Sequence, residues 1–293
     1  MKILYLLYGF FSIFVLISCE EAFTSIKEID IPEHESKLAV FADMSGNKGS
    51  FSISHSRSII DNKDYTPVSA EISILENGSP FYKFSFSGSS ANSFKQKIFS
   101  GSFVEGFEYT LIVENDEYGT ATAKQIVPVK PVFSNVKFKK DGFIDNNGYK
   151  SDLLSFDLSD DISTENYYLV QAEALSFINN DTFTEPLYLN SNDPSTKSFW
   201  FGEKNGLIIS DKNFNGTVTK IITDLKIYNN NSNGRLSISS ITKDYYYFLL
   251  SYNQYSNSSG NPFAEPVNVH NNIKNGYGLF QINSKKDYIF KTE

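Results

Sequence analysis

The chain has 293 residues and carries 26 Lys and Arg against 34 Asp and Glu, a formal net charge of -8 at pH 7. We expect no nucleic-acid ligand for such an acidic chain, because affinity for nucleic acid depends on clustered Lys and Arg that neutralise phosphates. With one cysteine the chain cannot form an internal disulfide, and its length is enough for one or two domains with their own cores. Aromatic residues make up 15% of the chain, mostly Phe and Tyr, which favours an all-β fold.

The first eighteen residues have the parts of a secretory signal peptide. Lys2 precedes an apolar run over residues 3–17, which ends immediately before Ser18 and Cys19. The run is shorter than the ~20 residues that a membrane-spanning helix needs. We therefore expect residues 1–18 to be a leader that is cleaved from the mature protein.

The end of this leader indicates a lipid anchor. Leu16-Ile17-Ser18-Cys19 resembles the bacterial lipobox, where cleavage before the cysteine is coupled to acylation of its sulfur. The resemblance implies that Cys19 is lipidated and attaches the protein to a membrane; a signal peptide with a chance cysteine is the alternative. Residues 19–35 are charged and are predicted to be a lipidated tether. Glu20-Glu21 resembles the export signal of Bacteroidota surface lipoproteins, although acidic residues are also common in solvated tethers.

Short segments of alternating apolar and polar residues fill residues 36–129. Period-two alternation predicts strands with one buried side, and Asn77-Gly78 suits the positive φ angles of a tight hairpin. The predicted strands are residues 37–41, 50–54, 70–75, 81–86, 96–99, 109–113 and 120–127. This number and spacing of strands predict an immunoglobulin-like β-sandwich. Tyr109 lies where a tyrosine corner of such a domain would place it, and an ordinary strand tyrosine is the alternative.

The segment Val127-Pro128-Val129-Lys130-Pro131 predicts a linker, since two prolines remove backbone donors and favour an extended chain. A larger β domain, a sandwich or barrel-like fold, is expected over residues 130–293. Its predicted strands are residues 133–138, 153–158, 166–175, 199–201, 206–209, 217–228 and 235–241. The loops between them are rich in Asn, Ser and Asp.

One amphipathic helix is predicted near residues 241–256. Apolar residues at positions 241, 245, 248, 249 and 252 share one helical face. Ser240 or Thr242 is a suitable N-cap, and Asp244 lies in the first turn, where a negative charge is favoured.

Several segments together resemble a known family. They are Leu38-Ala39-Val40, Ser210 to Gly216, Asp244-Tyr245-Tyr246, Gly260 to Val267 and Asn272 to Phe280. Their order and spacing resemble the Bacteroidota lipoproteins of the domain of unknown function 4249 (DUF4249). The resemblance implies an outer-membrane lipoprotein, often encoded near a TonB-dependent transporter. It implies no agreed activity, so it assigns no functional residues.

Residues 211–216 are the best candidate for a metal site. Asp211, Asn213 and Asn215 alternate ahead of Gly216, as in the first half of a calcium loop, but position 222 is Ile instead of the Glu that would complete the ligands. A turn stabilised by Asn and Asp side chains is the alternative. Apart from this weak structural calcium candidate, we expect no cofactor.

The sequence shows no catalytic motif. His34, His55 and His270 form no His-Glu-x-x-His pattern, and no Gly-x-Ser-x-Gly segment occurs. A Ser-His-Asp triad built from distant residues stays open, because triads are recognised by geometry.

The segment Asn261-Pro262-Phe263-Ala264-Glu265-Pro266 contains a candidate contact for a partner or ligand. Two prolines stiffen the chain around Phe263 and Glu265, which lowers the entropy lost on docking. The alternative is a rigid crossover whose Phe263 fills the core.

These features favour a non-enzymatic function. We expect an outer-membrane lipoprotein, anchored through Cys19, that captures or gates a ligand for a TonB-dependent β-barrel. It is expected to face the cell surface, with the periplasmic face as the alternative. A structural or adhesive surface protein is the second hypothesis, and an envelope hydrolase with a dispersed site is the third.

Overall fold

The computed structural model describes residues 33–58, 61, 66–88, 94–144, 148–178, 181–202, 204–227, 233–261 and 263–292. Cys19, the leader and most of the predicted tether lie outside these residues. Within them the chain forms sixteen β-strands and one α-helix, which confirms the predicted all-β class.

The first seven strands form two sheets around one core. They are β1 (Leu38–Ser45), β2 (Lys48–His55), β3 (Ala70–Glu76), β4 (Ser79–Phe86), β5 (Lys95–Ile98), β6 (Glu108–Asn115) and β7 (Gly119–Ile126). Strands β5, β2 and β1 are neighbours in one sheet, and β4, β3, β6 and β7 form the other. Every second residue of β1 is buried, and Ile53, Ile72 and Leu111 fill the space between the sheets. The β-sandwich is confirmed; its immunoglobulin-like assignment stays a prediction, which this strand order supports.

Tyr109 fixes the loop that precedes β6. Its buried hydroxyl accepts a hydrogen bond from the Val104 N–H at 3.1 Å and donates to the Glu76 carboxylate. Burial and the bond to Glu76 raise the pKa of Tyr109 to about 12. A bond from such a tyrosine to backbone a few residues upstream is the contact that defines a tyrosine corner.

The remaining strands form a layered β structure with one helix. They are β8 (Val132–Ile144), β9 (Lys150–Ser159), β10 (Tyr167–Ile178), β11 (Asp181–Leu187), β12 (Thr196–Phe201), β13 (Lys204–Ser210), β14 (Val218–Leu225), β15 (Asn233–Ile241) and β16 (Tyr277–Lys291), with the helix α1 (Lys243–Ser258). The central sheet has the order β12-β13-β10-β15-β16, and β11 also pairs with β10. Tyr168 and Val170 of β10 face the three-stranded sheet β14-β9-β8, whereas Tyr167 and Leu169 face α1. The two faces of β10 are thus buried in two separate cores.

Strand β16 joins the two parts of the molecule. Residues 277–283 pair in parallel with β1, and residues 284–291 pair antiparallel with β15. Gly278 has a φ of 114°, and a Cβ there would lie 2.0 Å from the Val40 carbonyl oxygen, so the close approach to β1 requires glycine. Buried residues before and after position 129 belong to different cores, but Ser36–Glu293 is one compact unit because this sheet continues across that position. The division into two domains stays a prediction.

The helix agrees closely with its prediction. Thr242 is the N-cap, and its hydroxyl accepts a hydrogen bond from the Tyr245 N–H at 3.3 Å. Tyr245, Phe248 and Leu249 are buried against the sheet, which is the face predicted from the apolar spacing. Among the described helices none is long and apolar enough to span a membrane.

Candidate functional site

A cleft of about 700 Å³ lies beside the linker between β7 and β8. Pro128 and Pro131 of the linker line it, together with Glu165, Tyr167 and Lys243. The prolines cannot donate to a sheet ladder, so the linker runs between β7 and β8 without strand pairing, as predicted. The cleft therefore lies where the unpaired linker passes from one core to the next.

Charged residues in and beside the cleft form ion pairs. The pairs are Lys124–Glu108 at 2.7 Å, Lys130–Glu105 at 3.5 Å and Lys243–Glu165 at 2.6 Å. The hydrogen bond from Lys243 lowers the pKa of Glu165, and burial together with a bond to Glu165 raises the pKa of Tyr167 above its ordinary value. Exposed pairs of this kind contribute little to stability. The cleft thus presents donors and acceptors of both charges, an arrangement that suits a polar ligand.

Asp244 connects three segments next to the cleft, since it follows Lys243 and bonds Gln125, which both line the cleft. From the first turn of α1 its carboxylate accepts hydrogen bonds from the Gln125 amide of β7 at 2.6 Å and from His270 Nε2 at 2.7 Å. The Asn272 amide donates at 3.4 Å. Burial alone would raise the pKa of Asp244, but the bonds from His270, Gln125 and Asn272 together lower it below its usual value. The carboxylate therefore holds β7 and the loop after α1 against the start of the helix.

The Asp244–His270 pair was not predicted from the sequence. The residues are 26 positions apart, and no motif spacing connects them. A carboxylate on one ring nitrogen is also the arrangement that orients the histidine of a hydrolytic triad. Neither residue lines the cleft, however, and the His270 backbone N–H donates to Ser251 of α1 at 2.8 Å. These contacts hold the loop after α1 against the helix, and we call the Asp244–His270 pair a clamp for this reason.

That loop carries the predicted contact residues, and it presents them to solvent. Phe263 is 95% exposed, so the alternative in which it fills the core is wrong. Its backbone N–H donates to the Asn261 side chain at 3.0 Å, and the Ala264 N–H donates to the Asn261 carbonyl at 3.1 Å. Glu265 is also exposed, and Pro262 lies outside the described residues. An ordered turn around Asn261 thus holds an apolar side chain in water.

The predicted calcium ligands are separated by burial. Asp211 is buried at the start of a short 3-10 turn, and its carboxylate accepts a hydrogen bond from the Asn166 N–H at 2.6 Å. Asn213 and Asn215 are exposed. Burial raises the pKa of Asp211. Its carboxylate thus has a structural role, which agrees with the alternative of a turn stabilised by polar side chains.

The residues that the structure describes contain no group of three or more His, Cys, Asp and Glu side chains placed to hold a metal ion. The lipidation residue Cys19 lies outside them.

Comparison with known proteins identifies the family. The chain belongs to the family whose model is described as "Domain of unknown function (DUF4249)", which matches residues 26–289. The match covers the cleft, the helix α1 and the loop that carries Phe263. No curated protein matches the chain.

Proposed function

We propose that this DUF4249 protein is an outer-membrane lipoprotein that acts as a non-enzymatic accessory of a TonB-dependent β-barrel. The lipobox-like end of the leader supports an anchor on Cys19, and Glu20-Glu21 supports export to the cell surface. The lipid places the folded unit beside other outer-membrane proteins. The proposal then requires a surface that contacts a barrel and a place for the ligand.

The exposed side chain of Phe263 is the observation that carries the proposal. The Phe263 side chain, 95% exposed, leaves apolar area in water, and covering that area on association is favourable. Covering it would contribute roughly 2 kcal/mol, or roughly thirtyfold in affinity. Because Asn261 and the Asp244–His270 pair already order the loop, little conformational entropy is lost on docking.

The cleft supplies the place for the ligand. Its paired charges and tyrosines offer hydrogen-bonding groups that a polar nutrient needs, and its lining comes from both sides of the linker. Asp244 and Gln125 connect this region to the start of α1 and to the loop with Phe263. In the proposed role, the ligand binds in the cleft and the loop contacts the barrel.

Affinity purification of the tagged, full-length protein from membranes in mild detergent tests the proposal. We expect a TonB-dependent barrel to co-purify with the wild type, and Phe263→Ser to reduce its recovery at least tenfold. Phe183→Ser is the matched control, since Phe183 is also an exposed phenylalanine, on β11. Repeated recovery of the lipoprotein alone would contradict the accessory role and favour the structural or adhesive alternative.

A further inference from the structure

The one tryptophan of the chain is exposed and stacked on an exposed tyrosine. Trp200 is 51% exposed and Tyr188 is 57% exposed. Their ring centroids are 5.4 Å apart, with an angle of 27° between the planes. Two large aromatic rings that adjoin in solvent form an apolar patch of the kind that marks binding surfaces.

The fold holds both rings in this position. Their neighbours Leu189 and Phe199 are buried, so the alternation along each segment turns Tyr188 and Trp200 outward. The Trp200 indole N–H donates to the Gly202 carbonyl at 2.6 Å. The two rings are therefore fixed before any ligand arrives.

A shallow cavity of about 190 Å³ adjoins the two rings at the edge strand β12. Asn190, Asn205 and Asn253 line it together with Ser198. The Asn253 amide, on α1, donates to the Ser198 carbonyl at 3.3 Å, and Asn190 forms a backbone bridge with Asp224. Among the described residues that line the cavity, none has a charged side chain.

We propose that this surface binds a neutral saccharide, with one pyranose ring against the Trp200–Tyr188 pair. A pyranose has an apolar face of C–H groups and an edge of hydroxyl groups. Aromatic rings suit the face, and planar amides, which both donate and accept, suit the edge. The cavity has roughly the volume of one sugar ring, and its uncharged lining offers no counter-charge for a uronate or a phosphate. This proposal does not depend on a barrel partner.

Trp200 reports directly on its own site, because the chain has no other tryptophan. We would titrate the full mature protein with maltohexaose, cellohexaose, mannohexaose and xylohexaose, and measure Trp200 fluorescence. Hexagalacturonate and adenosine provide a charged saccharide and a flat base. A saturable fluorescence change with at least one neutral hexasaccharide is expected. No change with any of the four, or tighter binding of hexagalacturonate or adenosine, would overturn the proposal.

Two variants test the assignment to these residues. Tyr188→Ala and Asn253→Ala should each weaken the saccharide affinity about tenfold, measured by calorimetry. Tyr149→Ala, at an exposed tyrosine outside the cavity, should leave the affinity unchanged. Thermal unfolding verifies that each variant folds, and Asn253→Ala, at a partly buried helix position, gives a second variant if Tyr188→Ala fails to fold. Unchanged affinity in the folded variants would refute the site.

Discussion

Replacement of Asp244 gives the sharpest test of how the structure is held together around the cleft. Asp244→Ala removes two short hydrogen bonds, from Gln125 and His270, and a longer one from Asn272. Hydrogen bonds to a charged group contribute about 1.5–3 kcal/mol each, but Asp244 is partly exposed, so we expect a total loss of about 2 kcal/mol. Most of it reflects the buried Gln125 amide, which would lose its acceptor.

Chemical denaturation with urea at pH 7 measures this loss, and a drop of about 4–8 °C in the melting temperature should accompany it. Glu265→Gln changes an exposed carboxylate in the same loop and should alter the free energy of unfolding by less than about 0.5 kcal/mol. If Asp244→Ala were as stable as this control, the description of Asp244 as a clamp would be refuted.

The pH dependence of a second substitution at this position, Asp244→Asn, gives an independent check. Since the folded pKa of Asp244 is lowered, its contribution is fully present above its unfolded pKa of about 4 and is lost as the pH falls through the folded value. The stability difference between wild type and Asp244→Asn should therefore shrink as the pH is lowered from 7 to 3. An equal difference at both pH values would show that the charge has no part in the clamp.

Three further outcomes are expected. Among the described side chains, the Tyr245 hydroxyl is the buried polar group without a hydrogen-bond partner. Tyr245→Phe should therefore leave the free energy of unfolding in urea unchanged or raise it by about 1 kcal/mol. A loss above about 1 kcal/mol would contradict this. Gly278→Ala should lower the free energy of unfolding by more than about 2 kcal/mol, because the added Cβ would collide with the Val40 carbonyl oxygen. An unchanged free energy of unfolding would refute the pairing of β16 with β1. Cys19→Ser should release the protein from the membrane while circular dichroism shows the same β structure, and retention on membranes would exclude lipidation as the anchor.

Local sequence patterns predict much of the fold. The Asn77-Gly78 turn has φ angles of 47° and 82° and joins β3 to β4, as its chemistry requires. Thr242 caps α1 for an equally local reason, since its hydroxyl satisfies a free N–H of the first turn. Alternation likewise predicts strands wherever one face is buried.

Two strands are missing from the prediction, each for a physical reason. β11 is exposed at six of its seven positions and contains Pro186, so its sequence has no buried face to recognise. β16 has a run of six buried residues from Leu279 to Ser284, because different layers cover its two faces, and period-two alternation is absent there. Its pairing with β1 joins residues at opposite ends of the chain, and such contacts leave no local pattern.

The candidate site shows the same limit. Exposure of Phe263 depends on the path of a loop in three dimensions, whereas its residue type favours burial as core packing. The clamp between Asp244 and His270 requires the helix, β7 and the loop to meet, which spacing along the chain does not encode. Asp211 illustrates the converse: an alternation of oxygen-bearing residues resembled a metal loop, yet its carboxylate holds the backbone of Asn166.

Site-specific photocrosslinking in intact cells tests the central claim most directly. With a photoreactive amino acid at position 263 of the full-length chain, irradiation should yield a covalent adduct with an outer-membrane TonB-dependent β-barrel. The same group at position 183, another exposed phenylalanine position, should yield none with that barrel. If position 263 gave no barrel adduct although the protein was present at normal abundance, the proposed accessory role would be contradicted.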